Sequence, residues 1–423
     1  MSSTTILLTS LPPELLSNIA FQLRRSSPFR PEGSLASLSL VCRKLRTAAQ
    51  EEILRSVEVE GMEDFYRLQG SPFRGSGGQL QTLETAGKIY LVRNITLSPF
   101  DSYLEEIHNP ETVERYSDYH KLPRKSYHHY PSLPHIVDFL VRFPNLNELS
   151  ITCFPFLSLP SDQFSRLSQP LANITSLKVV TPPWDPDHQF LRQIVQLTPQ
   201  LSTLTLERYF LPNVAKFKPC SEPLPYLPYL SHLTLEGQFY FSLPSLNLIT
   251  PKQASKIRHL TLRSFSQHIN NADLTGDYGE KFGAFFAEGV RHLEWRDKWV
   301  KFGVPEEDDQ DELIGMLESL VKLRKITIDR LDTSNEWILC VPPSLEYLEV
   351  DCDADSVVLE NILEIFIIQE NHHEFLEGMR GKTLRLKSEE SMRIFSYCDN
   401  LWARCGDFGW KVEFMAIGDG EIS

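Results

Sequence analysis

Residues 227–235, LPYLSHLTL, place apolar side chains at Leu227, Leu230, Leu233 and Leu235. The closing L-x-L has the two-residue period of a strand, so Leu233 and Leu235 point to one side. The same spacing recurs along the chain. Upstream it is FPNLNELSI (Phe143, Leu146, Leu149, Ile151), LANITSLKV (Leu171, Ile174, Leu177, Val179) and a shortened Leu201, Leu204, Leu206. Downstream it is Ile257, Leu260, Leu262, then Val290, Leu293, Trp295, then LVKLRKITI (Leu320, Leu323, Ile326, Ile328) and SLEYLEV (Leu345, Leu348, Val350). Ile95 and Leu97 announce the pattern, and Thr383 to Leu386 is a weaker late copy. From Leu149 to Leu348, equivalent positions are 22 to 33 residues apart.

Helix-like apolar stripes lie between these segments, such as HIVDFLVRF before Pro144 and FLRQIVQL before Pro199. One strand and one helix cannot bury their apolar faces alone, whereas stacked copies share a continuous core. The expected fold class is α/β, with a parallel sheet on one face and helices on the other. The L-x-x-L-x-L core and its period resemble the leucine-rich repeat. The copies lack the regular Asn after the strand, and their lengths vary, so the expected solenoid is irregular. Insertions are expected near 101–134, rich in Tyr, His and charge, and near 264–281, read as a polar loop. The acidic run 305–312 reads as a solvated loop, and GWKVEFMAI as a closing strand.

The N-terminal stretch has a different period. In LPPELLSNIAFQL, Leu15, Ile19 and Leu23 fall at i, i+4, i+8 on one helical face. In LSLVCRKLR, Leu38, Val41, Cys42 and Leu45 follow i, i+3, i+4, i+7. Thr9 or Ser10 caps the first helix, and two prolines open it, where a missing N–H costs little. About 45 residues cannot hide two such stripes from water, so something must cover them. The ordered letters Leu11, Pro12, Glu14, Leu15, Ile19, Leu23, Leu35, Leu38, Ser39, Leu40, Val41, Cys42, Arg43 and Leu45 resemble an F-box. The link at residues 24–34, RRSSPFRPEGS, is longer than is usual in that family. Domains are therefore drawn at 1–55 for the F-box and 56–423 for the repeats. Irregular repeats behind an F-box resemble fungal F-box proteins more than the regular animal or plant receptors.

With 41% hydrophobic and 23% charged residues, the 423-residue chain falls among soluble globular proteins. A net charge of −14 argues against nucleic-acid binding through a broad basic surface. No run is long and apolar enough to span a membrane, and ILLTSL is broken at once by Pro12 and Pro13. Seven cysteines without a CxxC pair suggest neither zinc nor disulfides, and free thiols fit a reducing compartment. An intracellular location, cytoplasmic or nuclear, is expected. GMRGKT at 378–383 lacks both the first glycine and the following helix of a phosphate-binding loop. His128, His129, His372 and His373 have no partner ligands at metal spacing. No catalytic residue, metal site or cofactor is expected, and the chain is read as a non-enzyme.

The residues flanking each L-x-L leucine should face away from the core. The column before the strand's first leucine runs Glu148, Ser176, Thr203, His232, His259, His292, Lys325, Tyr347. Four residues further along each strand, Glu236 should face Arg263, and Arg296 should face Asp329. The bland outcome is a solvated face that pairs its own charges. The functional outcome is a surface that holds a protein, through His232, His259, His292, Arg263, Arg296 and Lys325. The three imidazoles should be mostly uncharged near neutral pH, because stacked imidazolium ions repel.

The F-box resemblance implies a substrate receptor of a Skp–cullin–F-box ubiquitin ligase. By motif position, Leu11, Pro12, Leu15, Ile19, Leu38, Val41, Cys42 and Leu45 would grip a Skp-type adaptor, and through it a cullin. The repeats would hold an unknown protein substrate. The alternative is a scaffold or regulatory subunit that binds the adaptor outside the ligase.

Overall fold

The structure is a computed structural model. It describes residues 12–26, 37–38, 40, 43–60, 87–98, 133–152, 164, 171–181, 189–208, 223–240, 249–268, 278–296, 301–302, 309–329, 341–351, 382–388 and 411–416. The chain forms two compact units, Met1–Leu177 and Lys178–Ser423. Their division falls inside the strand β4 (Ser176–Thr181). Helix α2 (Arg43–Arg55) runs without a break into strand β1 (Ser56–Glu60), and the Arg93 N–H donates to the Arg55 carbonyl at 2.8 Å.

In the first unit, helix α1 (Pro13–Ser26) packs against α2. The buried residues are Leu16, Ala20, Leu45 and Ala48, with Leu23, Leu38 and Ile53 partly buried around them. This corrects the expected face of α1. Leu16 and Ala20 turn inward beside Leu23, while Leu15 lies on the outer side. The helix also continues through Arg24, Arg25 and Ser26, which the sequence assigned to a loop. Its expected cap at Thr9 or Ser10 lies outside the described residues.

Strands β1, β2 (Asn94–Ser98) and β3 (Glu148–Thr152) pair in parallel. Val57 lies opposite Ile95, and Ile95 opposite Leu149. Helix α3 (Leu133–Leu140) buries Leu133, Ile136, Val137, Phe139 and Leu140, and Phe139 meets Phe143 edge-on at 5.2 Å. The insertion expected at 101–134 therefore ends in the first residues of α3, and the rest of it lies outside the described residues.

In the second unit, strands β5 (Thr203–Arg208), β6 (His232–Tyr240), β7 (His259–His268), β8 (His292–Arg296), β10 (Lys325–Asp329), β11 (Tyr347–Asp351), β12 (Thr383–Ser388) and β13 (Lys411–Ala416) lie side by side in that order. Every pairing among them is parallel. The short strand β9 (Lys301–Phe302) pairs beside β7 at Ser266 and Gln267. Helix α4 (Gln189–Leu197) precedes β5, α5 (Pro251–Ala254) precedes β7, α6 (Tyr278–Phe286) precedes β8, and α7 (Asp309–Ser319) precedes β10. The alternation of strand and helix is that of the α/β class expected.

Two hydrogen-bond devices repeat from copy to copy. At the start of a strand, two successive N–H groups donate to one carbonyl a repeat earlier: Ser231 and His232 to Ser202, Arg258 and His259 to Ser231, Arg291 and His292 to Arg258, Arg324 and Lys325 to Arg291. The same device joins Asn147 and Glu148 to Arg93 in the first unit. Before the strand, a one-turn bond closes the x-x spacing: Leu230 to Leu227, Ile257 to Ala254, Leu323 to Leu320, Leu345 to Pro342. These bonds satisfy backbone groups that burial would otherwise strand, so the motif's spacing has a structural cause.

The apolar positions face the core. Leu233, Leu235, Leu260, Leu262, Leu293, Ile326 and Ile328 are buried. In register, Leu233 stands beside Leu260 and Leu260 beside Leu293. The polar loop expected at 264–281 is regular structure at both ends, since β7 continues to His268 and α6 begins at Tyr278, and residues 269–277 lie outside the described residues. Likewise α7 begins at Asp309, inside the acidic run expected to be a loop. Carboxylates in a first helical turn are stabilised by the unpaired N–H groups there. The closing strand appears as β13, parallel to β12.

Candidate functional site

The polar side of the second unit's sheet carries the candidate site. His232, His259 and His292 occupy equivalent positions on β6, β7 and β8, as the repeat spacing requires. Their rings form a short stack. The His232 and His259 centroids are 5.2 Å apart, and those of His259 and His292 are 4.0 Å apart. His232 is exposed and the other two are half-buried, so none is enclosed by helices.

Glu294 is the hub beside the stack. It lies two residues after His292 on β8 and therefore on the same face. Its Oε1 lies 3.0 Å from His259 Nε2 and 3.9 Å from His292 Nε2. Its Oε2 accepts from the Thr261 hydroxyl at 3.4 Å. His292 Nε2 also meets Thr327 Oγ1 at 3.1 Å, and His232 Nδ1 meets Ser231 Oγ at 2.9 Å. The Nε2 of His259 is buried and has no hydrogen-bond partner, although it is close to Glu294. The two atoms are neighbours that do not aim at one another.

Burial, then the neighbouring His259 and Lys325, lowers the His292 pKa to about 3, against the opposing pull of Glu294 and Glu349. Burial and His259 also lower that of His232. At neutral pH these two rings are uncharged, and each can accept as well as donate.

Two of the cations expected on this face, Arg263 and Lys325, are occupied by carboxylates. Arg263 faces Glu236 at 4.0 Å, the pairing expected from the columns. Lys325 reaches Glu349 at 3.1 Å, and Glu349 is almost fully buried. Arg385 then bridges Glu349 at 3.3 Å and Glu413 at 2.8 Å, and Lys411 also binds Glu413. These bonds raise the Arg385 pKa, the one to Glu413 most. Arg296 stands opposite Arg263 in register. Its side chain, and that of its expected partner Asp329, lie outside the described residues. The columns thus placed the histidines and the Glu236–Arg263 pair. They missed the ladder that runs from Lys325 through Glu349, Arg385 and Glu413 to Lys411.

On the helical pair, Leu15 is 48% exposed and Pro12 is exposed. Ile19 and Leu38 are half-buried, and Leu45 is fully buried between the helices. Leu45 therefore holds the pair together. Leu11 lies outside the described residues, as do Val41 and Cys42. Leu40, part of the same motif, is 78% exposed.

No family model matches the chain. No curated protein matches it either. Among solved structures, a similar chain occurs in the "Crystal structure of TLR13-ssRNA13 complex", with a TM-score of 0.24 and 11% identity over 71% of this chain. The chain spans 44% of that one. A likeness at that level bears on neither the activity nor the partners of this chain. Among the described residues, no helix is long and apolar enough to cross a membrane.

Proposed function

We propose that the chain is a substrate receptor of a Skp–cullin–F-box ubiquitin ligase. The observation that carries this reading is the outer surface of the helical pair. Leu15 and Leu40 stay exposed there while Leu16, Ala20 and Leu45 fill the space between the helices. Large apolar side chains on a two-helix module suit a partner of matching apolar character. The ordered motif letters name a Skp-type adaptor. The polar face of the repeats suits a polar segment of a target protein, since it presents neutral imidazoles beside balanced charge. The chain itself performs no chemistry in this reading. Holding a target near a ubiquitin-charged enzyme raises its effective concentration, and that proximity accelerates transfer.

The test is adaptor binding by Leu15→Asp. A charge placed in a closed apolar interface costs several kcal/mol, on the order of a lost complex. Binding to a purified Skp-type adaptor should collapse, while the circular dichroism of the variant stays unchanged. Undiminished binding would end the proposal. Cullin-dependent ubiquitination of captured proteins separates the ligase from the scaffold reading.

A further inference from the structure

We propose that His259, His292 and Glu294 form a binding site for a divalent transition ion, Zn²⁺ by the chemistry of its ligands. One ring nitrogen of each histidine and one carboxylate oxygen lie within 4.8 Å of one another. The triangle follows from the sheet. His292 and Glu294 share a face at i and i+2 of β8, and His259 is the cross-strand neighbour of His292.

The local geometry favours an ion over a simple ion pair. His259 Nε2 and Glu294 Oε1 are 3.0 Å apart, yet the ring nitrogen makes no hydrogen bond. Two ligands of one tetrahedral ion behave this way. With bonds of about 2.0–2.1 Å they lie about 3.3 Å apart and aim at a shared third point. His292 Nε2 is 3.9 Å from the same oxygen, and its competing bond, to the neutral Thr327 hydroxyl, is weak. Thr261 holds the other oxygen of Glu294, which leaves Oε1 turned to the imidazoles. Metal sites fix their ligands with outer hydrogen bonds of this kind. Of the nearby cations, Arg263 reaches Glu236 and Lys325 reaches Glu349.

Two imidazoles and one carboxylate suit Zn²⁺, Co²⁺ or Ni²⁺, while Mg²⁺ and Ca²⁺ require oxygen ligands throughout. Three protein ligands leave a fourth position on the open side of the sheet, available to water or to a donor side chain of a bound protein.

The experiment is calorimetric titration of the metal-free full chain with Zn²⁺ alone, with neither adaptor nor target present. It therefore stands or falls separately from the ligase reading. One equivalent is expected in the native chain, lost in the His259→Ala/His292→Ala variant and not displaced by excess Mg²⁺. Co²⁺ should give the visible absorption of a tetrahedral site in the native chain and not in that variant. Thr261→Val should weaken binding by about tenfold, the usual effect of an outer hydrogen bond. Undiminished Zn²⁺ uptake by the double variant would overturn the site and assign the ion to other histidines. So would failure of the native chain to bind. Should the double variant not fold, melting decides: Zn²⁺ must raise the midpoint of the native chain and leave Glu294→Gln unmoved.

Discussion

In the strands from Thr203 to Asp351, a leucine such as Leu260 is fully buried and has a leucine beside it on each neighbouring strand. In the helical pair, Leu16 and Leu45 are nearly as buried, but among the described residues their cluster adds only the small Ala20 and Ala48, with Leu23, Leu38 and Ile53 partly buried around it, and Leu15 and Leu40 stay exposed. The difference lies in how the two kinds of structure grow. A repeat always offers the next strand as cover, so burial propagates along the register. Two short helices have one shared seam, and an apolar residue off that seam must find its cover elsewhere. Among the described residues, the strands thus cover one another's apolar positions, and the helical pair leaves Leu15 and Leu40 uncovered.

The comparison breaks first at the leucines. Leu260→Ala should destabilise the second unit by about 2–5 kcal/mol, because strands on both sides hold the cavity open. Leu16→Ala should fall at the lower end of that range, since a single seam between two short helices collapses more readily. Denaturant midpoints measured with probes in each unit check the order. Equal costs at the two positions would mean that the pair is as rigidly enclosed as the strands.

Glycines sharpen the same contrast. A Cβ at Gly289 would lie 2.3 Å from the Ala254 carbonyl oxygen and 2.5 Å from that of Ile257, both backbone atoms. Gly289→Ala should therefore force the strand-linking turns apart, at about 1–3 kcal/mol. At Gly87 in the first unit the reason for glycine is different. Its φ is +63° and nothing would lie within 4 Å of a Cβ. Gly87→Ala should cost about 1 kcal/mol through backbone strain alone. Thermal melting of both variants separates crowding from strain, and a harmless Gly289→Ala would show that the two turns are not held in close approach.

The register was legible because a period of two leaves no freedom. Once Leu233 and Leu260 are placed inward, His232, His259, Glu236 and Arg263 have no other side to occupy. The strand starts at Glu148, Ser176, Thr203, His232, His259, His292, Lys325 and Tyr347 all coincide with the column drawn from the sequence. The helical face was less legible. Leu15, Leu16, Ile19, Ala20 and Leu23 offer two overlapping stripes at helical spacing, and only contact with Leu45 and Ala48 selects the one through Leu16. The hub of the site was hidden for another reason. Glu294 lies between Leu293 and Trp295 with nothing in the spacing to mark it, and its importance depends on side-chain directions that set Oε1 near two rings at once. The close approach of α6 and α7 at Gly283, where a Cβ would meet the Met316 carbonyl oxygen at 2.4 Å, has no periodic signal at all.

The smallest expected effect is the most discriminating within the sheet. Thr234 and Thr261 each lie between the two apolar positions of their strand, so the repeat pattern alone treats them alike. The structure separates them. Thr234 is half-buried, while Thr261 is only 5% exposed and its hydroxyl donates to Glu294. Valine keeps the shape and removes the donor. Thr261→Val should therefore cost about 1 kcal/mol, the net worth of one hydrogen bond, which here has a charged acceptor and a long 3.4 Å reach. Thr234→Val should stay within about 0.5 kcal/mol, as surface changes do. Chemical denaturation of both variants, each against the native chain in metal-free buffer, measures the difference directly. If the two substitutions cost the same, the Thr261 hydroxyl does not hold Glu294 in solution. The carboxylate would then be free to swing away from the imidazoles, and the outward column would be uniform, as the bare repeat pattern had it.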